Sequence, residues 1–341
     1  MPTASSAACC NWSRRSRLLM VVEALNHNEL ELKGAYPEVA PLVRLRHIAR
    51  QLRLFKPRVS RSDQAGNLLT RYRGRGMNFE EVRYYQPGDD VRSIDWRVTA
   101  RTGKTHTKLF QEERERPVVI LLDLRSPMFF GSQKAFKSVA ACSIAAALSW
   151  AGLQHGDRIG ALIFDDNDVN TVRPRRSHHA VLAAIHGMVE SASALDSPIP
   201  ANGSQALSTL LEEARRVARP GSAVFLISDC HDLDQSCEQA LYSLTRHADL
   251  QVLRVTDPLE QQLPDQAVTI SDGQRRTFLG KGNQGLRQIF ARHQEEMREN
   301  AAQLCRRLRL PLLDFDNTQP VVPRLLATYG DRQPAPGRRH P

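Results

Sequence analysis

Four apolar runs, each followed by an aspartate, constrain what this chain can fold into. Residues 118–122 read VVILL before Asp123, and 158–164 read RIGALIF before Asp165. Residues 223–228 read AVFLIS before Asp229, and 250–256 run LQVLRVT to Asp257. Near-continuous apolar character suits a strand covered on both faces, where a half-exposed strand would alternate. Stretches with helical spacing lie between the runs, at 134–154, 178–191, 205–219 and 234–247. Strands alternating with helices predict an α/β fold built on a doubly wound, mostly parallel sheet. Residues 169–173 predict an antiparallel return, 267–278 a weaker hairpin, 283–309 a long helix and 312–315 a last strand. The Pro- and Arg-rich tail after Pro320 is expected to fray.

With 341 residues the chain can bury the core of one large domain and one small one. Ahead of the strand-rich part, 37–54 is an amphipathic helix with Arg44, Arg46, Arg50 and Arg53 on its polar face. Such a helix can lie on a membrane or in a partner's groove; lacking a bulky aromatic face, it better suits packing on the main domain. Residues 68–73 and 105–112 read as strands around a turn-rich centre. The expected organisation is a disordered leader at 1–26, a helix plus β-rich motif region at 27–116, the α/β domain at 117–319 and a flexible tail at 320–341. Ser13–Leu19 carries the arginine pair of a twin-arginine export signal, but its apolar run stops at Val22, so the leader is read as irregular. Six cysteines without CxxC pairs indicate free thiols and a cytoplasmic protein. No run approaches the length of a membrane-spanning helix.

The net charge is +10, and residues 41–108 carry sixteen Lys/Arg against six Asp/Glu. The basic character therefore belongs to one region, which could attract nucleic acid, an anionic membrane surface or an acidic partner. Within it, residues 71–101 crowd seven arginines beside Asp89, Asp90 and Asp95, with Tyr84, Tyr85 and Trp96. Arginine forks pair with carboxylates and stack on rings, so the stretch reads as a knot of ion pairs and turns. Those acids could alternatively hold a nuclease metal, but Arg92 and Arg97 lie within reach to neutralise them.

In a doubly wound sheet, ligands collect at the carboxyl ends of the strands. There the chain places Asp123, Asp165, Asp229 and Asp257, with Ser126, Asp166, Ser204, His231 and Asp232 in nearby loops. Hard oxygen ligands of this kind suit Mg²⁺ or Mn²⁺. The same aspartates could instead cap the helices that follow. Two other motifs carry less chemistry. The GKGNQG run at 280–285 fits GxGxxG, but follows a hairpin where a dinucleotide site needs a first strand. Cys230, His231 and Asp232 with Cys237 match no zinc spacing. No Ser–His–Asp arrangement is supported, and no enzymatic activity is expected.

Strand, Asp123, an Ala-rich helix, Gly203-Ser204 opening a helix, and AVFLISD ending at Asp229 together resemble a von Willebrand factor type A domain. The resemblance implies a metal-ion-dependent adhesion site formed by Asp123, Ser204 and Asp229. That site is degenerate here: its Asp-x-Ser-x-Ser loop would need serine at positions that hold Arg125 and Pro127. Arg125 itself would place a cation where the metal sits. The YYQPGDDVRSIDWRVTARTG stretch then resembles the bacterial domain-of-unknown-function 58 family, with a PGDD-x-R-x-IDW-x-x-(S/T)-AR motif. Tyr85, Pro87, Gly88, Asp89, Asp90, Arg92, Ile94, Asp95, Trp96, Ala100 and Arg101 fit it. The resemblance implies an adaptor that works with a MoxR-type AAA+ ATPase and other type A-domain proteins. Two alternatives stand beside it: nucleic-acid or anionic-surface binding through the basic region, and divalent-metal-dependent ligand binding at the degenerate site.

Overall fold

In the computed structural model, the described residues are 33–55, 77–86, 91–112, 116–194, 206–261, 263, 267–271, 276–279 and 284–330. In chain order their elements begin with helices α1 (Val39–Arg44) and α2 (Arg46–Ala49), strand β1 (Met77–Tyr84), helix α3 (Trp96–Thr102) and strand β2 (His106–Glu112). Next come β3 (Pro117–Asp123), α4 (Lys137–Gln154), β4 (Arg158–Phe164), β5 (Val169–Arg175), α5 (His178–Ala194), α6 (Leu207–Val217) and β6 (Ala223–Ser228). The remainder are α7 (Gln235–Thr245), β7 (Asp249–Thr256), the short α8 (Pro258–Gln261), β8 (Val268–Ser271), β9 (Arg276–Leu279), α9 (Gln284–Arg307), β10 (Leu312–Asp316) and α10 (Val321–Tyr329). The chain divides into two units, a small one at Pro57–Glu115 and a large one made of the rest.

The large unit is an α/β domain with a six-stranded sheet in the order β10-β7-β6-β3-β4-β5. Every neighbouring pair is parallel except β4 with β5. The continuous apolar runs are central because both of their faces are covered. Val118, Ile120 and Leu122 of β3 join one core with α1, α2, α4, α5 and α10. Val119 and Leu121 point the other way, into a core with α6, α7 and α9. The antiparallel strand β5 forms an edge, where Pro174 is tolerated because no further strand needs its missing donor. Gly160 on β4 lets Pro174 approach: a Cβ there would lie 2.7 Å from the proline ring. Helix α4 is buried almost all round, which its alanines permit.

Three differences from the expected organisation have physical causes. The predicted helix at 37–54 is two short segments that meet at Leu45. They pack on α4 within the large unit, so they are not part of the β-rich region. The indole Nε1 of Trp150 donates to the Leu42 carbonyl at 3.2 Å, and Gln154 Nε2 donates to the Arg46 carbonyl at 2.7 Å. Second, the predicted tail begins with helix α10, which buries Val322, Leu325 and Tyr329 at helical spacing. Its prolines at the start are a helix-entry signal, since the first turn needs no donor there. Third, the strand paired with β2 is β1, inside the stretch expected to be turn-rich; the strand expected at 68–73 lies outside the described residues.

The small unit's described part is the antiparallel β1–β2 pair, bulged between Phe79 and Glu81, with α3 beside it. Among the described residues, no helix is long and apolar enough to cross a membrane.

Candidate functional site

From β3 the chain moves to β4 and β5 on one side, then returns to β6 and β7 on the other. The gap between the carboxyl ends of β3 and β6 is therefore the topological switch point, where this fold class binds ligands. Asp123 ends β3, and Ser228 ends β6 directly before Asp229.

Asp123 is fully buried, as is almost all of Arg125. Arg125 Nε donates to Asp123 Oδ1 at 2.9 Å and its Nη2 to Oδ2 at 2.8 Å, a bidentate pair. The guanidinium also spans to Asp232, with Nη1 at 2.6 Å and Nη2 at 2.8 Å from the carboxylate oxygens. Ser228 Oγ donates to Asp123 Oδ2 at 2.7 Å, and the Leu207 amide donates to Asp232 at 2.9 Å. The Phe164 ring lies under the guanidinium, 5.3 Å from its centroid. Burial opposes the arginine's charge, but the bonds to Asp232 and Asp123 outweigh it and hold its pKa above the usual value.

A second buried cation stands nearby. Lys137, at the first position of α4, is 1% exposed and donates to Asp229 at 2.9 Å and to Glu260 of α8 at 2.5 Å. Burial disfavours the ammonium, yet Asp229 and Glu260 together raise its pKa. Asp229 is likewise buried, and Lys137 and His231 hold it below the ordinary carboxylate range. His231 Nδ1 donates to Asp229 at 2.8 Å; burial pulls the imidazole down, but Asp229 outweighs it and raises its pKa. The backbone turns sharply here, with Cys230 in the left-handed region at φ 61°. Its amide donates to Ser228 Oγ at 3.0 Å, which steadies that strained residue.

The other strand-end acids serve the backbone. Asp165 accepts from the amides of Asn167 and Asp168, both at 2.9 Å. Asp257 accepts from the amides of Ser132 and Leu259 and from Asn317 Nδ2. Asp166 accepts from the amide and hydroxyl of Ser126. Cys142, Cys230, Cys237 and Cys305 are free and buried; burial raises the Cys305 thiol to about 11.

The donor set does not fit a divalent cation. Asp123 and Asp229 belong to one edge, but each is saturated by a cation of the protein's own, Arg125 and Lys137 respectively. Among the described residues, no group of three or more His, Cys, Asp and Glu is placed to hold a metal. Ser204, expected as the second-loop ligand, lies outside the described residues. Sequence reasoning anticipates Arg125 and misses Lys137. Its signal was present: a lone lysine at the start of an apolar helix opposes the helix dipole unless carboxylates face it.

In the small unit the motif residues behave differently. Asp95 is the N-cap of α3, accepting from the amides of Arg97 at 3.0 Å and Val98 at 3.2 Å. Its own amide donates to His106 of β2, tying the helix start to the strand. Gly103 ends the helix at φ 70°, a conformation that favours glycine. Arg101 lies in the last turn, where a cation suits the dipole. The Tyr85 amide donates to the Thr105 carbonyl at 2.9 Å. Trp96 and Arg92 are exposed. Pro87, Gly88, Asp89 and Asp90 lie outside the described residues.

A mostly parallel sheet of this order, with an aspartate loop at its switch point, defines a von Willebrand factor type A-like α/β domain. The chain belongs to the family described as Protein of unknown function DUF58, whose model matches residues 81–300. It is 30% identical over 249 residues to the uncharacterized proteins Rv1480 of Mycobacterium tuberculosis and Mb1516 of Mycobacterium bovis. Each alignment covers 71% of this chain and 75% of the relative. Similar solved structures include a von Willebrand factor type A protein from Catenulispora acidiphila, at 17% identity and a TM-score of 0.29. That match covers 44% of this chain and 35% of the other, so the chain spans about a third of that protein. The SpRpn10 VWA domain is 11% identical with a TM-score of 0.34, covering 65% of this chain and 100% of that one.

Proposed function

We propose that this chain is a non-enzymatic, cytoplasmic interaction module, an adaptor that acts with a MoxR-type AAA+ ATPase in the assembly or maturation of other proteins. The observation that carries this reading is the surface of the small unit. Trp96 is 69% exposed, Val91 61% and Tyr84 60%. Large apolar side chains in solvent, in a unit that also exposes Arg92, Arg97 and Arg101, have the composition of protein-binding hot spots. Saturation of Asp123 and Asp229 by Arg125 and Lys137 supports a non-catalytic role, since it leaves neither carboxylate for acid–base or metal chemistry. Co-purification from the native host at low salt tests the reading. Recovery of an AAA+ ATPase with the wild type, and its loss with Trp96→Ala, would support it; a wild-type preparation that brings down no ATPase would sink it.

The same exposed arginines support a second reading, binding to nucleic acid or an anionic surface. Its signature is an affinity that falls steeply with salt in a mobility-shift titration, and a flat response would remove it.

A further inference from the structure

Beside the buried ion pairs, a cavity of about 340 Å³ opens between the carboxyl ends of β6 and β7 and the face of α9. Its wall includes Asp229, His231, Arg254, Glu260, His293 and Arg298. Which ligand it suits follows from which of these polar groups are already spent.

The acceptors are spent. Asp229 receives bonds from Lys137 Nζ and from both the amide and Nδ1 of His231. Glu260 receives Lys137 on one oxygen and the Asp257 amide on the other. Both carboxylates are thus satisfied from within the protein.

The donors are not. Arg254 gives Nε to Asp314 at 2.6 Å and Nη1 to the Arg298 carbonyl at 3.2 Å, and its remaining terminal nitrogen makes no bond among the described residues. Arg298 Nε is buried without a partner, and its Nη1 stands 3.6 Å from Glu295, beyond hydrogen-bond distance. The His231 ring, its Nδ1 committed to Asp229, still has Nε2 to offer, and Asp229 favours its charged form. His293 adds a second imidazole from the facing helix. Two guanidinium groups and two imidazoles with unused donors surround a space whose carboxylates already accept hydrogen bonds from within the protein.

We propose that this cavity binds a phosphate-class oxyanion, the anionic end of a small phosphorylated molecule. A tetrahedral oxyanion presents several acceptor oxygens in divergent directions, matching donors that arrive from β7, α9 and the loop after β6. A volume of about 340 Å³ leaves room for a group attached to it and lies at the lower end of small-molecule sites. The location, at the strands' carboxyl ends beside the switch point, is where α/β sheets hold ligands.

Calorimetric titration of the full chain at constant ionic strength tests this, with inorganic phosphate, sulfate and acetate as probes. Wild type should bind phosphate and sulfate saturably and acetate more weakly. Arg298→Ala should weaken phosphate roughly tenfold, the effect of one charged hydrogen bond, and His293→Ala should weaken it less. Both side chains reach solvent, so these variants should keep the wild-type melting transition; Arg215→Ala, exposed on α6, should bind as wild type does. Absence of saturable phosphate binding, acetate binding as tightly as phosphate, unchanged affinity in both Arg298→Ala and His293→Ala, or an equal loss in Arg215→Ala would each overturn the proposal.

Discussion

At the carboxyl edge of the large unit, Arg125 and Lys137 are 2% and 1% exposed and divide four carboxylates between them. In the small unit, Asp95 spends its carboxylate on the start of a helix while Trp96 beside it is 69% exposed. Both places carry the residue types of a ligand site, aspartate next to arginine. In the first, tertiary packing turns those charges inward and makes them part of the core. In the second, local capping uses the acid and leaves the aromatic surface outside. Charged residue types therefore did not reveal which place buries its charges and which leaves an aromatic ring in solvent; burial did.

The comparison can be broken most forcefully at Arg125. Arg125→Ala should cost about 3–5 kcal/mol in urea denaturation, because it leaves Asp123 and Asp232 without the buried cation they share. A loss under about 1 kcal/mol would mean that water or a metal takes the arginine's place. Lys137→Met should be similarly severe, for the same reason at Asp229 and Glu260. An added divalent cation that restored either variant's melting temperature would show that the edge can still accept metal.

Asp95→Ala should cost about 0.5–2 kcal/mol through loss of the N-cap, with Asp95→Asn near wild type. Hydrogen exchange should locate the change in the small unit. If Asp95→Asn were as damaging as Asp95→Ala, the carboxylate's charge, and not its capping bonds, would be what matters.

Acid should act on the edge through Asp229. Its folded pKa is held below the ordinary value, so its contribution is present above about pH 4 and is lost as pH falls below that. His231 works in the opposite sense: its raised pKa stabilises fully below about pH 6.5, and that contribution disappears as pH rises through the folded value. Urea midpoints measured across pH should show both slopes; His231→Gln should abolish the upper one and weaken the lower, because His231 is one of the two groups that hold Asp229 down. Trp96→Ala should give the smallest stability effect, within about 0.5 kcal/mol, because the ring is mostly in solvent. A larger loss would identify Trp96 as structural and remove the main support for it as a contact residue.

Much of the large unit was legible in the chain. The runs before Asp123, Asp165, Asp229 and Asp257 are strands, and the helical periods between them are helices. These signals survive because a strand covered on both faces must be apolar at nearly every position. Helix α10 was obscured because its prolines, read as tail composition, stand at a helix start. Strand β1 was obscured because its arginine and glutamates looked like part of a charged knot, while its strand character comes from pairing with β2. At the edge, Arg125 stood out because it interrupts a recognisable loop. Lys137, Glu260 and Arg254 did not, because nothing local links residues that lie 60, 92 and 123 positions apart.

Periodicity and the identity of strand-end residues are local properties, and they were enough to specify an α/β sheet and to place Asp123 and Asp229 on one edge. The partner of each acid is a long-range property. Lys137 reaches Asp229 across 92 residues and Glu260 across 123. Only the folding of α4 against the sheet carries that ammonium to the carboxylates, and only its burial there takes the pairing out of solvent.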